Sequence, residues 1–464
     1  MIEVSYNSGS SSSIIEYAKQ LIGKSLLDAC GDEIMEYTYG GKGNFGQLLE
    51  KFYFGYEPNS LAEPDFLEVN LELKASPLKY LKNGEIRAKE RLVLNIINYM
   101  NVHQEEFYES SFWKKNSHLL LVFYLYGEDV KVLNYVIKLV DEWKYPDADL
   151  TIIKRDWQFI QDKIKAGKAH ELSEGDTFYL GACTKGSTAE KSYREQPFNT
   201  EKAKQRAYSL KQGYVNHIIA SIAGVRKVKY GKILHSDNIK SKKTLEEIVV
   251  DKFAPFYGQT PREIQTKIGE ELNVNAKSYF ASLTKLILGI GKNEEIEEFQ
   301  KGNIQVKTVR LKENGLPKEH ISFPAFKYEE LVQTDWEDSN FKSILEQKFF
   351  FVFYQFKGSE LHLKKVKFWN MSNSDLNEVC KVFNETKRIV KGGNIVNNVT
   401  AKGIRRTNLP GKNFNRISHV RPHATNKMDT YSLPNKDKVT GLAEYTKHSF
   451  WLNDNYIRDD IYNK

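Results

Sequence analysis

Cysteine is scarce. The 464-residue chain has three, Cys30, Cys183 and Cys380, far apart in sequence. That excludes a disulfide framework and a CxxC zinc site, and it fits a reducing, cytoplasmic compartment. Long apolar runs are missing as well. The longest, Leu119–Tyr126 and Phe349–Tyr354, fall far below the ~20 residues that span a bilayer, so they read as buried strands and no membrane partner is expected. Met1–Ser13 is polar and serine-rich, which is no secretion signal. Charge of one sign is only slightly in excess, with 68 Lys and Arg against 60 Asp and Glu and a net +8. This excludes ribosomal-protein basicity while leaning toward a polyanionic partner.

Apolar and aromatic mass is plentiful. Hydrophobic residues make up 40%, including 26 Tyr and 26 Phe, enough to build sizeable cores and to exclude wholesale disorder. At roughly 150 residues per domain the length predicts about three domains or two large ones. A basic stretch, Gly224–Lys243, carries Arg226, Lys227, Lys229, Lys232, Lys240, Lys242 and Lys243 against Asp237 alone. It reads as a linker between a first domain, 1–223, and a second, 244–464.

The two halves resemble each other in register. Val122-Phe-Tyr124 returns as Val352-Phe-Tyr354, an offset of 230, and Lys89-Glu90 returns as Lys318-Glu319 at 229. Leu71–Ala75 matches Ile304–Thr308 at 233, Leu49–Gly55 matches Leu283–Gly289 at 234, and Tyr208–Tyr214 matches Phe450–Tyr456 at 242. Matches in constant order with slowly drifting offsets indicate a duplicated domain of about 220 residues. Within each half, helical and strand periods mix. Phe45, Leu48, Leu49 and Phe52 form a helical stripe, and Asp156–Lys165 is an amphipathic helix. Leu67, Val69, Leu71 and Leu73 alternate with polar residues as a half-buried strand. The class is α/β, an α+β arrangement with a mixed sheet.

On that strand Glu72 and Lys74 leave one face about 6.5–7 Å apart. Asp65 precedes them, giving Asp-x6-Glu-x-Lys. Two converging carboxylates make a hard oxygen site for Mg²⁺, with Mn²⁺ as a substitute, and a nearby ammonium can orient or help deprotonate a water for attack on phosphorus. By chance a chain of this length shows the pattern about 0.4 times, so context must support it. Glu50, on the helix before the strand, adds a third acid; alone it would be an ordinary surface residue. Gly41-Lys-Gly43-Asn-Phe-Gly46 formally matches a dinucleotide-binding GxGxxG, but Glu36–Gly40 is a poor buried strand and Pro58 and Pro64 interrupt the return. Arg206 and Lys211 flank the Tyr208 segment and are candidates to grip phosphates.

Four blocks together resemble a family: Lys42-Gly43-x-x-Gly46-x-Leu-Leu-Glu50, Pro64-Asp65-x6-Glu72-Leu-Lys74, Lys89–Tyr99 and Gly167–Gly175. They are similar to the Sau3AI family of GATC-cutting type II restriction endonucleases, whose domain resembles the MutH-like mismatch-repair nicking endonuclease. The resemblance implies two tandem restriction-endonuclease-like domains in a prokaryotic cytoplasm. The first would be a PD-(D/E)xK nuclease with Asp65, Glu72 and Glu50 at the metal and Lys74 as the catalytic lysine. It places Lys42 in a turn that approaches the duplex. It also sets Ala182–Gly186 where the repair enzyme has an Arg-Pro-Lys reading loop; Cys183 and Thr184 replace the Arg-Pro, so only Lys185 carries over.

In the second half Gln305 stands for Glu72, Thr284 for Glu50, and Glu298 or Phe299 for Asp65, while Lys307 keeps the lysine. That half is expected to be non-catalytic. It keeps Arg421-Pro422-His423, which resembles the reading loop, so the resemblance implies a DNA-binding effector domain. The expected partners are duplex DNA with two GATC sites, a second chain on that DNA, and a companion methyltransferase. A strand-nicking repair enzyme and a non-catalytic, methylation-sensing DNA binder are the alternatives.

Overall fold

The structure is a computed structural model that describes residues 5–37, 44–59, 61–185, 192–224, 228–235 and 243–464. Lys42, the first half of the GxGxxG turn and much of the basic linker lie outside these residues. The chain divides into two compact units, 1–242 with 293–304 and 243–292 with 305–464.

The first unit has two sheets. In the first, β1 (Glu72–Tyr80) pairs antiparallel with β2 (Ile86–Ala88) and parallel with β4 (His118–Leu125), which pairs antiparallel with β5 (Ile137–Lys144). The second has the order β3-β7-β6, from β3 (Leu92–Ile96), β7 (Arg206–Leu210) and β6 (Leu180–Thr184). The apolar run of β4 is buried on both faces, as a central strand with a parallel partner requires. Leu73, Leu120 and Val122 enter one core cluster with Leu48, Leu49 and Val140. By the pleat, Glu72 and Lys74 therefore leave the opposite face of β1.

Strand alternation was expected from Leu67, but β1 begins at Glu72. Leu67–Val69 is instead a 3-10 turn with Leu67 exposed, and Asn70 is left-handed at φ 50°. The helical stripe at Phe45 is present as α1 (Asn44–Leu48), continued by a π-helical turn, Leu49–Tyr53. The amphipathic helix runs longer than expected, as Asp147–Lys165, and ends where Gly167 takes φ 69°.

The second unit repeats this plan. β10 (Gln305–Leu311) pairs parallel with β12 (Phe349–Lys357), which pairs antiparallel with β13 (Glu360–Trp369). β11 (Ile321–Phe326), β15 (His448–Leu452) and β14 (Ser418–Pro422) form a sheet in the order β11-β15-β14. Phe349, Phe351 and Phe353 face a core built with Val379, Phe383 and Phe450.

Register carries the repeat further than sequence identity does. Glu72 lies opposite Leu119 and Gln305 opposite Phe349, so the separate offsets of 233 and 230 describe one pairing. Each antiparallel pair shifts register at the same place, between Phe123 and Tyr124 and between Phe353 and Tyr354. Gly55 and Gly289 both turn the chain at positive φ, 77° and 80°.

Residues 293–304, numbered within the second half, lie with the first unit. Here β8 (Tyr230–Gly231) pairs with β9 (Glu295–Ile296), and the helix Glu297–Lys301 buries Lys301 against Asp149 at 2.8 and 3.0 Å. Tyr214 donates to the same carboxylate at 3.0 Å. A Cβ at Gly213 would lie 1.9 Å from the Gln300 carbonyl oxygen, so only glycine allows the approach. Among the described residues no helix is long and apolar enough to cross a membrane.

Candidate active site

A tight loop sets Asp65 against Glu72. Phe66 and Leu71, both buried, exchange backbone hydrogen bonds at 2.9 and 3.2 Å, and Asn70 closes the turn in the left-handed conformation that Asn tolerates. The Asp65 N–H donates to Glu72 Oε2 at 3.1 Å, and the Leu73 N–H donates to Asp65 Oδ2 at 3.0 Å. Each carboxylate is held by the backbone of the other's neighbourhood.

Lys74 Nζ donates to Glu72 Oε1 at 2.5 Å, from the same face of β1. Lys115, on the short helix Ser111–Asn116, approaches the same oxygen at 3.6 Å and donates to the Leu61 carbonyl at 2.7 Å. Glu50 lies on the π-helical turn, where the Phe54 N–H reaches back to the Leu49 carbonyl at 3.2 Å. Turns widened in this way are common at functional sites. Glu50, Asp65, Glu72, Lys74 and Lys115 line one cavity of about 380 Å³.

The acids crowd one another. Burial, then the Glu72 charge, pushes the Glu50 carboxyl up to about 7, with Lys74 and Lys115 opposing. Burial, then Glu72 and Glu50, pushes Asp65 up to about 7, with Lys74 and the Leu73 N–H opposing. The Tyr56 hydroxyl is raised by burial and by Asp65, Glu50 and Glu72; it is buried and has no hydrogen-bond partner.

This donor set fits a hard divalent cation. It offers carboxylate oxygens only, with negative charge that a proton or a cation must relieve. As arranged, no group of three or more His, Cys, Asp or Glu side chains among the described residues is gathered to hold an ion. Glu72 is already engaged on both oxygens, Oε1 by two ammonium groups and Oε2 by a backbone N–H. Lys115 and Tyr56 escaped the sequence analysis. Lys115 follows another lysine on an amphipathic helix, and nothing in that pattern distinguishes the two.

The DNA-contact candidates separate. Lys185 is exposed just past β6, its N–H bonded to the Gln205 carbonyl at 2.8 Å. Arg206 and Lys211, expected to grip phosphates, are internal instead, 3% and 2% exposed. Arg206 donates to the Ala182 carbonyl at 2.6 Å, and Lys211 donates to the Thr177 carbonyl near Asp156. β7 is the middle strand of its sheet and is buried throughout, which withdraws Arg206 from solvent. In the second unit Arg421 and Pro422 are exposed at the end of β14. The Arg421 guanidinium lies 5.2 Å from the Trp451 ring centre, and His423 packs on the same ring at 5.4 Å.

The second unit's counterparts of the acids are spent or neutral. Gln305 donates to Gln347 Oε1 at 2.8 Å, and Thr284 is buried. Glu298, which lies with the first unit, accepts from the Ile233 and Leu234 N–H groups at 2.9–3.1 Å.

A family model described as the DNA mismatch repair enzyme MutH matches residues 54–156 and again 289–380. Each match covers the strands of one of the two repeated parallel-pair sheets. The type II restriction enzyme Sau3AI of Staphylococcus aureus is 37% identical over 487 aligned residues, covering 96% of each chain. The DNA mismatch repair protein MutH of Shewanella woodyi is 25% identical over 186 residues, covering 40% of this chain and 78% of that protein.

Proposed function

This chain belongs to the family of the type II restriction endonuclease Sau3AI, a nuclease family with MutH-like domains, and from that premise we propose that it cuts both strands of duplex DNA at 5′-GATC-3′ with a divalent cation in the first unit. The observation that carries the reading is the mutual clamp of Asp65 and Glu72, with Lys74 at 2.5 Å in the same cavity. Asp65, Glu72 and Glu50 would hold Mg²⁺ or Mn²⁺, which when bound supplies positive charge to the pentacoordinate phosphorus. Lys74, whose ammonium donates to Glu72, orients the attacking water and favours its ionisation; the water's proton leaves to solvent, and a solvent proton goes to the departing 3′ oxygen. The water oxygen bonds to phosphorus in line as the bond to the 3′ oxygen breaks, leaving a 5′-phosphate and a 3′-hydroxyl.

The second unit lacks the carboxylates and presents Arg421, Pro422 and His423 to bind a second GATC. Lys or Arg donating to guanine O6 and N7 is the commonest specific base contact, which suits Arg421 there and Lys185 in the first unit. One chain carries one active site and the target is a palindrome, so two chains pair on DNA or nick in turn. A companion methyltransferase would protect host sites. Incubating the protein with unmethylated plasmid, with and without Mg²⁺, and sequencing the ends tests this. Linear product with 5′-phosphates at GATC supports it; nicked circles as the final product point to the repair-type activity, and unchanged plasmid to a binder.

A further inference from the structure

Lys307 occupies in the second unit the position that Lys74 occupies in the first. Each is the third residue of its strand, and each lies opposite the third residue of the parallel partner run, Leu121 and Phe351. Their surroundings differ. Lys74 meets the Glu72 carboxylate and shares its cavity with Asp65 and Glu50. Lys307 has Gln305 in place of Glu72, its amide turned to Gln347, and Thr284 in place of Glu50, a buried hydroxyl without a hydrogen-bond partner. Among the described residues no carboxylate pairs with Lys307; its ammonium lies 5.8 Å from the centre of the Phe323 ring.

A carboxylate cluster repels a phosphodiester and needs a cation between them. With the carboxylates removed and the amine kept, the same strand position meets a phosphate directly through a charge-assisted hydrogen bond. We infer that the second unit's counterpart of the active site holds a backbone phosphate of duplex DNA through Lys307, without a divalent cation. Burial also holds the Lys307 pKa below that of an ordinary lysine with no anion nearby to offset the cost, and a bound phosphate would supply that anion.

This inference rests on the reading that the second unit binds DNA, so the test separates the two. The full-length chain is titrated with a fluorescent GATC duplex in EDTA, across a range of salt. Binding should persist in EDTA. Lys307→Met, which keeps the volume and removes the charge, should weaken it about tenfold and reduce the slope of log affinity against log salt by about 0.9. Lys307→Arg should restore both, and it keeps the test open if the Met variant fails to fold. If Arg421→Ala weakens binding in EDTA and Lys307→Met does not, the phosphate site is wrong while DNA binding by the second unit stands. If neither variant changes binding, the reading of the second unit fails with it.

Discussion

Asp65 and Glu72 are joined through the backbone on both sides: the Asp65 N–H donates to Glu72, and the residue after Glu72 donates to Asp65. Neither carboxylate can turn away without leaving a half-buried N–H unpaired, so the pair is positioned before any ligand arrives. Asp65→Ala is therefore expected to reduce plasmid cleavage at least about a thousandfold, as is Lys74→Met, while duplex binding changes only a few-fold. Single-turnover cleavage beside a binding titration checks this; equal losses in both would assign these groups to binding.

The crowded acids make stability and metal binding depend on pH in opposite directions. Glu50 and Asp65 titrate at about 7 in the folded chain, against about 4 in an unfolded one. Between those values the folded chain binds more protons, so the stability these groups contribute is present below about pH 4 and lost as pH rises through about 7. Mg²⁺ needs the carboxylates ionised. The rise in Tm on adding Mg²⁺ should be larger at pH 8 than at pH 5.5, and thermal melts at both values decide it.

Lys115 helps hold the Glu50 carboxyl down and donates to the Leu61 carbonyl. Lys115→Met should move the acid limb of the cleavage profile to higher pH, because Glu50 then ionises later. Loss of the bond to Leu61 should also destabilise the chain by about 1 kcal/mol. A shift to lower pH would contradict the arrangement.

Asn70 sustains φ 50° at the turn that delivers Asp65. Asn70→Val should cost about 1–2 kcal/mol and reduce cleavage more than it reduces DNA binding, while Asn70→Gly should retain most of both. Chemical denaturation and cleavage rates on the same preparations check the pair.

Much of this molecule is legible in its sequence. The offsets of 230 and 233 correspond to one strand pairing, and Asp-x6-Glu-x-Lys falls on a loop and strand that bring its members together. Residues 67–73 misled, because alternation cannot show that Asn70 turns left-handed and ends the pattern. Arg206 and Lys211 misled for another reason: a basic residue near an aromatic segment looks the same whether it faces solvent or donates inward to a carbonyl, and only the sheet order decides. Lys115 joins Glu72 across tertiary space, where local periodicity carries no information.

The return of residues 293–304 to the first unit bears on how the polypeptide can be divided. Asp149 is 4% exposed and its ammonium partner Lys301 is encoded beyond the start of the second unit. A fragment ending at the basic stretch would lack both that ammonium and the helix that carries it, leaving Asp149 only the Tyr214 hydroxyl as a partner. A stop codon at the basic stretch therefore truncates the first unit as well as removing the second.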